Sequence, residues 1–314
     1  MRIDLSVVIP NRDGMRVIGD CLETLPGALG GLAAEVVVVD NGSSDGSIEL
    51  VESAYPFARS IRLGANLGFA RACNEGAAAT SGDYLLFLNS DTLLEPLALE
   101  SMLGRARRLE GTGVAAFGPV LSGPDGAQAH SFGRFPTVFG QFVVWLGESR
   151  SLEAERAAIR EAVRLGADSM AVDYVTGAAL LVRRAAFKEV GGFDERFFMY
   201  FEDAELQLRM AASGFSRRVL LIGGVAHLGG GGDARSRRTR VATYESLLTY
   251  HAIRLPRLAS RAFVPLFCFY ILCNILHPGF EIRENLAFVA RMLSRVGPVL
   301  RMADEGATRL GKAV

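Results

Sequence analysis

The sequence predicts an α/β fold built on a mostly parallel sheet with helices wound on both faces. Three observations carry that expectation. Leu5–Ile9, Val36–Val39 and Tyr84–Leu88 are short, continuous apolar runs, the pattern of strands buried on both faces. Helical patterns lie between them, so strands and helices alternate as in βαβ units. Each of these strands also ends in polar residues. They are Pro10-Asn11-Arg12-Asp13, then Asp40 through Gly46, then Asn89-Ser90-Asp91. In open α/β sheets ligands bind outside the carboxyl ends of the strands, which makes that edge the expected site.

The elements follow in order. Helix Val17–Leu25 comes after the first strand, with Pro26-Gly27 as its stop. Ser47–Ser53 and Phe69–Ala79 are the next helices. Val114–Val120 is a further strand, and Gly123-Pro124-Asp125-Gly126 is a turn. Ser149–Leu165 has helical spacing and mixed charge, as in a lid or insertion. Val172–Val182 reads as one strand, followed by helix Ala185–Val190 and a Gly191-Gly192 stop. Ala204–Ser213 is an amphipathic helix ending at Gly214, and Val219–Ile222 is the last strand. After the glycine loop Gly229–Gly232 come helices over Thr239–His251, Ala262–Leu276 and Ile282–Arg295.

Half of the 314 residues are hydrophobic and the formal net charge is zero, so no global field attracts nucleic acid. Cys21, Cys73, Cys268 and Cys273 make no Cys-x-x-Cys pair and read as small buried hydrophobes. The amino-terminal segment MRIDLSVVIPN is a strand pattern, too short in its apolar run for a signal peptide, so a cytoplasmic protein is expected. No run reaches the ~18 apolar residues of a spanning helix.

The aromatic-rich segment FFMYFEDAELQLR, Phe197–Arg209, runs into an acidic pair, Glu202-Asp203, at the start of a helix. Carboxylates beside so much apolar surface are costly unless paired or neutralised. A cleft carboxyl with raised proton affinity suits a general base near neutral pH. The alternative is that one of the pair only caps the helix. Asp91, at a strand end, suits a hard divalent cation shared with substrate phosphates, or a turn. His227 precedes the glycine loop and is either structural or a further ligand. Asp40 can accept an N–H from a pyrimidine base, or form a turn with Ser43 or Ser44 capping the next helix. Arg71 can grip a base or phosphate, or form a surface ion pair. Neither a Gly-x-Gly-x-x-Gly motif after the first strand nor a Walker-type loop is present.

The segments SVVIPN, VVVVDNGSSDGS, NLGFARACNEG, DYLLFLNSDT, VDYVTGAALLVRR, GGFDERFFMYFEDAELQLR and AHLGGGG stand in one order. Together they resemble the family-two inverting glycosyltransferases of the GT-A fold, most of all a bacterial rhamnosyltransferase-like branch, over roughly residues 5–232. The resemblance implies a Rossmann-like nucleotide-sugar half, about 1–120, and an acceptor half, about 121–232. A carboxy-terminal helical appendage, 233–314, would follow. It also implies roles: Pro10, Asn11, Asp40, Asn66, Arg71, Asn74, Asn89 and Asp91 around the nucleotide sugar, and Thr176 and Gly177 on the acceptor side. Asp203 would be the general base, with Glu202 beside it. Asp91 and His227 would bind a divalent metal, Mn2+ or Mg2+. Asn89 stands where the family usually has an aspartate. The implied partners are a UDP- or dTDP-sugar and a glycan or lipid-linked acceptor. A nucleotidyltransferase would need a Gly-rich basic loop after the first strand, which this chain lacks, and a silent binding module would not need Asp91, Asp203 and His227 together.

Ala262–Leu276 is too short to span a bilayer but long enough for an interfacial or buried helix. With Arg235, Arg237, Arg238, Arg240, Arg254, Arg257 and Arg261 it suggests peripheral contact with the inner membrane face. Packing on the catalytic domain or in a homodimer is the alternative.

Overall fold

The computed structural model describes residues 2–137, 151–229 and 237–254. The expected helices Ala262–Leu276 and Ile282–Arg295, the glycines 230–232, Cys268 and Cys273 lie outside the described residues. So do Arg235, Arg257 and Arg261.

Strands β1 (Leu5–Asn11), β2 (Ala34–Asp40), β3 (Ala58–Arg62) and β4 (Tyr84–Leu88) form the parallel half of a nine-stranded sheet. Their order is β3-β2-β1-β4. The sheet continues through β10 (Ala179–Arg183), β6 (Val114–Ser122), β11 (Ser216–His227) and β5 (Thr92–Leu94), while β8 (Ser169–Ala171) also pairs with β11. β10 runs antiparallel to both β4 and β6, and β6 and β11 are parallel to each other. Strands β7 (Phe132–Gly133) and β9 (Tyr174–Val175) make a separate small ladder.

Successive strand residues face opposite sides, and both sides are covered. Helices α1 (Ile18–Leu29), α2 (Ser47–Ala54) and α4 (Ala98–Arg108) bury Leu22, Leu25, Val51, Met102 and Leu103 with Val7, Ile9, Val38 and Leu86. On the other face α3 (Phe69–Ala78), α6 (Arg184–Glu189) and α7 (Glu202–Ala212) bury Cys73, Phe187, Leu206 and Met210 with Val8, Val37, Val39 and Phe87. Cys21 and Cys73 are free and buried in these two layers, as small hydrophobes. Helix α5 (Ser151–Arg164) precedes β8, and α8 (Arg237–Arg254) packs Tyr250 and Ile253 against Phe197 and Ala204. No helix among the described residues is long and apolar enough to cross a membrane.

The structure corrects several sequence-based boundaries. Pro26 does not stop α1; the helix runs on to Leu29 because Leu25 and Ala28 are buried in the core. The single strand expected over Val172–Val182 is two, β9 and β10, in different sheets, separated by Thr176-Gly177-Ala178. The expected strand Val219–Ile222 is longer, and an irregularity between Leu220 and Val225 lets it continue to His227. β3, β5 and α4 were not expected. Arg254 pairs with the buried Glu205 at 2.6 Å.

Close approach of α3 to the sheet depends on Gly76. A Cβ there would stand 2.3 Å from Val8 Cγ1 and 3.0 Å from Val39 Cγ2. Alanine is favoured over glycine in a helix by about 1 kcal/mol, but overpacking a buried seam costs about 1–3 kcal/mol. The clash is with branched, fully buried side chains, so overpacking wins. Gly76→Ala is therefore expected to lower the urea midpoint of unfolding; a raised midpoint would refute this packing argument.

Candidate active site

The carboxyl ends of β1, β2 and β4 bring three polar clusters to one edge of the sheet, as the sequence led us to expect. Asn11 and Asp40 are register partners at the ends of β1 and β2, and both are buried. Asn11 Nδ2 donates to Ser47 Oγ at 2.9 Å, while its Oδ1 is buried without a hydrogen-bond partner. Pro10 precedes it in the same strand. The Asp40 carboxylate accepts the Ser43 backbone N–H at 3.2 Å, which closes the turn after β2. Neither Ser43 nor Ser44 caps α2; Gly46 stands at its N-cap, and Asp45 before it accepts Ser47 N–H at 3.0 Å. Burial raises the Asp45 carboxyl, but the Ser47 hydroxyl, Met15 N–H and Ser47 N–H together hold it below its ordinary value.

The loop before α3 is built on Asn41, which accepts Leu67 N–H at 2.7 Å and donates to Gly68 O at 3.1 Å. Asn66 accepts Gly68 N–H at 3.1 Å. Gly68 has φ +91°, and a Cβ there would meet Phe198 O at 2.6 Å. This close approach lets Phe69 N–H donate to that same oxygen at 2.8 Å. Arg71 and Asn74 are committed to the Phe193–Glu195 turn. Arg71 pairs with Glu195 at 2.8 Å, and the Asn74 amide donates to Phe193 O and accepts Phe193 N–H, each at 2.9 Å. The ion-pair alternative weighed for Arg71 is the arrangement found.

Asn89, Asp91 and His227 come together. His227 ends β11 beside Thr92 of β5. Its Nε2 lies 3.2 Å from Asp91 Oδ1 and 3.2 Å from Asn89 Nδ2. That nitrogen faces a donor and an acceptor at once, and a neutral imidazole satisfies only one of them through a single atom. A divalent cation would resolve the conflict. It would take the imidazole lone pair, the carboxylate and, with the amide turned end for end, its carbonyl oxygen. The donor set therefore fits a divalent ion completed by phosphate oxygens. Among the described residues no group of three or more His, Cys, Asp or Glu makes a self-sufficient metal site.

Asp203 sits in the first turn of α7. Its Oδ2 accepts Gly177 N–H at 2.8 Å and its Oδ1 accepts Ala204 N–H at 2.7 Å. Burial pushes its carboxyl above the ordinary range, and these two amides and His130 oppose that rise. Glu202 is more deeply buried, with Oε2 lacking a hydrogen-bond partner. Burial first, and Asp203 second, push it well above the ordinary range. The helix is entered through two non-glycine residues in the left-handed region, Tyr200 (φ 71°) and Phe201 (φ 65°). Such conformations are held by their surroundings and cluster at functional sites. Thr176 donates its N–H to Ser131 O at 3.0 Å, and its buried Oγ1 has no hydrogen-bond partner. Ala178 O accepts Asn89 N–H at 3.0 Å. The 176–178 turn thus joins the Asn89–Asp91–His227 cluster to Asp203.

Sequence reasoning missed Gln207, His130 and Glu155. Gln207, one turn after Asp203, is fully buried. It donates to Val175 O at 2.7 Å and accepts Val175 N–H at 2.9 Å. A glutamine on the apolar face of α7 was the available signal. His130 and the buried Glu155 contact one another through Nδ1 and Oε1; neither stands in any of the matched motifs.

Comparison with known proteins adds to this geometry. A family model described as glycosyl transferase family 2 matches residues 6–191. An N-acetylglucosaminyl-diphospho-decaprenol L-rhamnosyltransferase of Mycobacterium tuberculosis is 34% identical over 192 residues, 57% of this chain and 62% of the relative. The matched region thus spans less than two thirds of that relative. The rhamnosyltransferase WbbL of Escherichia coli is 29% identical over 136 residues, 42% of this chain and 47% of its own length. Among solved structures, S. aureus TarS 1-349 in complex with UDP superposes with a TM-score of 0.51 at 16% identity, covering 93% of this chain and 71% of that one. The mannosyltransferase PcManGT of Pyrobaculum calidifontis, in complex with GDP-Man and Mn2+, gives 0.52 at 16% identity, covering 97% and 86%. The structural likeness is one of fold, and it agrees with the GT-A architecture expected.

The buried carboxyl of Glu202 makes stability depend on pH with a defined sign. Its folded value lies above its unfolded one. Below about pH 4, near the ordinary Glu value, both states hold the proton and nothing is lost. As pH rises the unfolded chain ionises first, so stability falls until the folded carboxyl ionises too. Glu202→Gln removes this dependence. Its melting temperature relative to wild type should therefore climb as pH is raised from about 4 to 8. A constant difference across that range would mean that Glu202 is not held protonated in the fold.

Proposed function

Because this chain belongs to glycosyl transferase family 2, we propose that it is an inverting glycosyltransferase. It would move a sugar from a nucleoside diphosphate to an acceptor hydroxyl. The observation that carries the reading is the coupling of the Asn89–Asp91–His227 cluster to a half-buried, proton-avid Asp203 through one three-residue turn. With this reading goes a proposed domain division, a nucleotide-sugar half at about 1–120 and an acceptor half at about 121–232.

In this reading the acceptor hydroxyl oxygen attacks the anomeric carbon from the face opposite the diphosphate. The bond to the leaving oxygen breaks, the diphosphate departs with the electron pair, and Asp203 takes the hydroxyl proton. A single displacement inverts the centre and needs no second nucleophile. Raised proton affinity suits Asp203 to this step, since a base works best near the operating pH. Asp40 would accept a base N–H, and Asn11, Pro10 and Asn66 would line the nucleotide edge. Asp91 and His227, with Asn89, would hold a divalent cation. Such a cation, Mn2+ or Mg2+, would neutralise charge on the departing diphosphate when bound. Thr176 and Gly177 border Asp203 on the acceptor side.

The sugar is proposed to be rhamnose, on a UDP or dTDP carrier, and the acceptor a lipid-linked or free glycan of cell-surface polysaccharide. The rhamnosyltransferase names of the mycobacterial and E. coli relatives support this choice. Contact with the inner membrane face would serve a lipid-linked acceptor. A panel of nucleotide sugars read by thermal stabilisation identifies the donor, since ligand at about 100 times its dissociation constant adds about 2.7 kcal/mol.

Asp203→Asn keeps shape but cannot take a proton. It should cut turnover by about 10²–10⁴-fold while donor affinity is retained; turnover within about tenfold of wild type would remove Asp203 as an essential base.

Manganese should bind weakly to the protein alone and much more tightly with nucleoside diphosphate present. Asp91 and His227 supply few ligands and a diphosphate must complete the shell. Equal affinity in both titrations would contradict shared ligation.

A further inference from the structure

His130 and Glu155 stand outside every role assigned so far. Glu155, on α5, is 6% exposed; one carboxylate oxygen contacts His130 Nδ1 and the other accepts Ser131 N–H at 3.1 Å. A buried carboxylate is costly unless paired, and the imidazolium is its charged partner. The β7/β9 ladder sets Phe132 opposite Val175 and Gly133 opposite Tyr174. The Thr176 N–H to Ser131 O bond continues that register. His130 directly precedes Ser131, and Gly177, whose N–H binds Asp203, directly follows Thr176. The imidazole is thus anchored by Glu155 on the segment that bonds the turn holding Asp203.

The charged groups that act on His130 come from two elements, Glu155 of α5 and Asp203 of α7. Tyr174 of β9 is itself raised, by burial first and then by Asp203 and Glu155. Arg156, next to Glu155, turns away to donate to Gln128 O at 3.0 Å.

We propose that His130, kept cationic by Glu155, is a positioning residue of the transfer reaction whose charge holds Asp203 as a carboxylate in a pocket that would otherwise protonate it. The electrostatics run in the required directions. The Glu155 bond raises the imidazole against its own desolvation; burial raises Asp203, and the Gly177 and Ala204 amides and then His130 oppose that rise. Without the cation, burial would push Asp203 further from the carboxylate form in which it can accept a proton. The proposal rests on the reading of Asp203 as the base, and its test separates the two.

The full-length protein is compared as wild type, His130→Gln, Glu155→Gln and the double variant. Infrared difference spectra against Asp203→Asn in each background follow the Asp203 carboxyl through a pH titration, independently of activity. The pH profile of kcat/KM is measured alongside. In His130→Gln the Asp203 midpoint should rise by about one pH unit, within the range an opposite charge exerts nearby. Glu155→Gln should move it in the same direction, and the double variant no further than His130→Gln. The acid limb of the rate profile should move with the midpoint. An unchanged midpoint in His130→Gln overturns the proposal, and additive shifts overturn the route through Glu155. If Glu155→Gln fails to fold, His130→Gln decides alone, because the His130 side chain is 46% exposed. A midpoint that moves while the rate profile stays still keeps the coupling and removes Asp203 as the base.

Discussion

The Gly177 N–H bond to Asp203 is the contact on which the rest of the site depends. It exists because the chain leaves its strand there. Thr176 commits its N–H to Ser131 and Ala178 offers its carbonyl to Asn89, so three successive residues hold three different elements. Had Val172–Val182 continued as one strand, Gly177 would have spent its amide on a sheet neighbour. Asp203 would then lose one of the two donors that let a desolvated carboxylate exist at all. Gln207 enforces the break from behind. By occupying both polar groups of Val175 it replaces the partners that residue would have found in the main sheet.

Those same contacts explain what was legible in the sequence. β1, β2 and β4 were plain because strands buried on both faces carry long apolar runs, and their polar ends were equally plain. β3 escaped notice because an edge strand reading ARSIR buries little beyond Ala58. α4 carried its signal in Leu99, Met102, Leu103 and Ala106, a helical stripe that deserved more weight. The break after β9 could not be read locally. VDYVTGAALLVRR is a continuous β pattern, and what interrupts it lies about 30 residues downstream on α7. His227 and Asp91 were found through motif order, while their meeting at 3.2 Å is a product of β11 pairing with β5. His130 and Glu155 have no local signature, because their meaning depends on β7 being laid beside β9.

Asp203 shows how opposing effects set a useful proton affinity. Burial alone favours the neutral acid. Two amide donors and a nearby cation favour the carboxylate. Glu202, one residue earlier, is raised by burial and then by Asp203, opposed by a single backbone donor, and its Oε2 has no hydrogen-bond partner. Two adjacent carboxyls are thus both raised, and Asp203 is the one held by more donors. The proton that Glu202 favours would also relieve Asp203 of a like charge.

Entry into α7 costs energy as well, since Tyr200 and Phe201 both adopt left-handed backbone conformations, at roughly 1–3 kcal/mol each. Residues after the expected domain boundary hold that entry in place. Ser246 donates to Met199 O at 2.7 Å, Tyr250 packs its ring 6.1 Å from Phe201, and Arg254 pairs with Glu205 one turn into the helix. A chain cut at residue 232 would keep Gly177 and Gln207 but lose these three props. The strained segment would then be free to relax and carry Asp203 away from its amide. The unit that holds the carboxyl therefore extends through α8, and the end of the family motifs does not mark the end of the site.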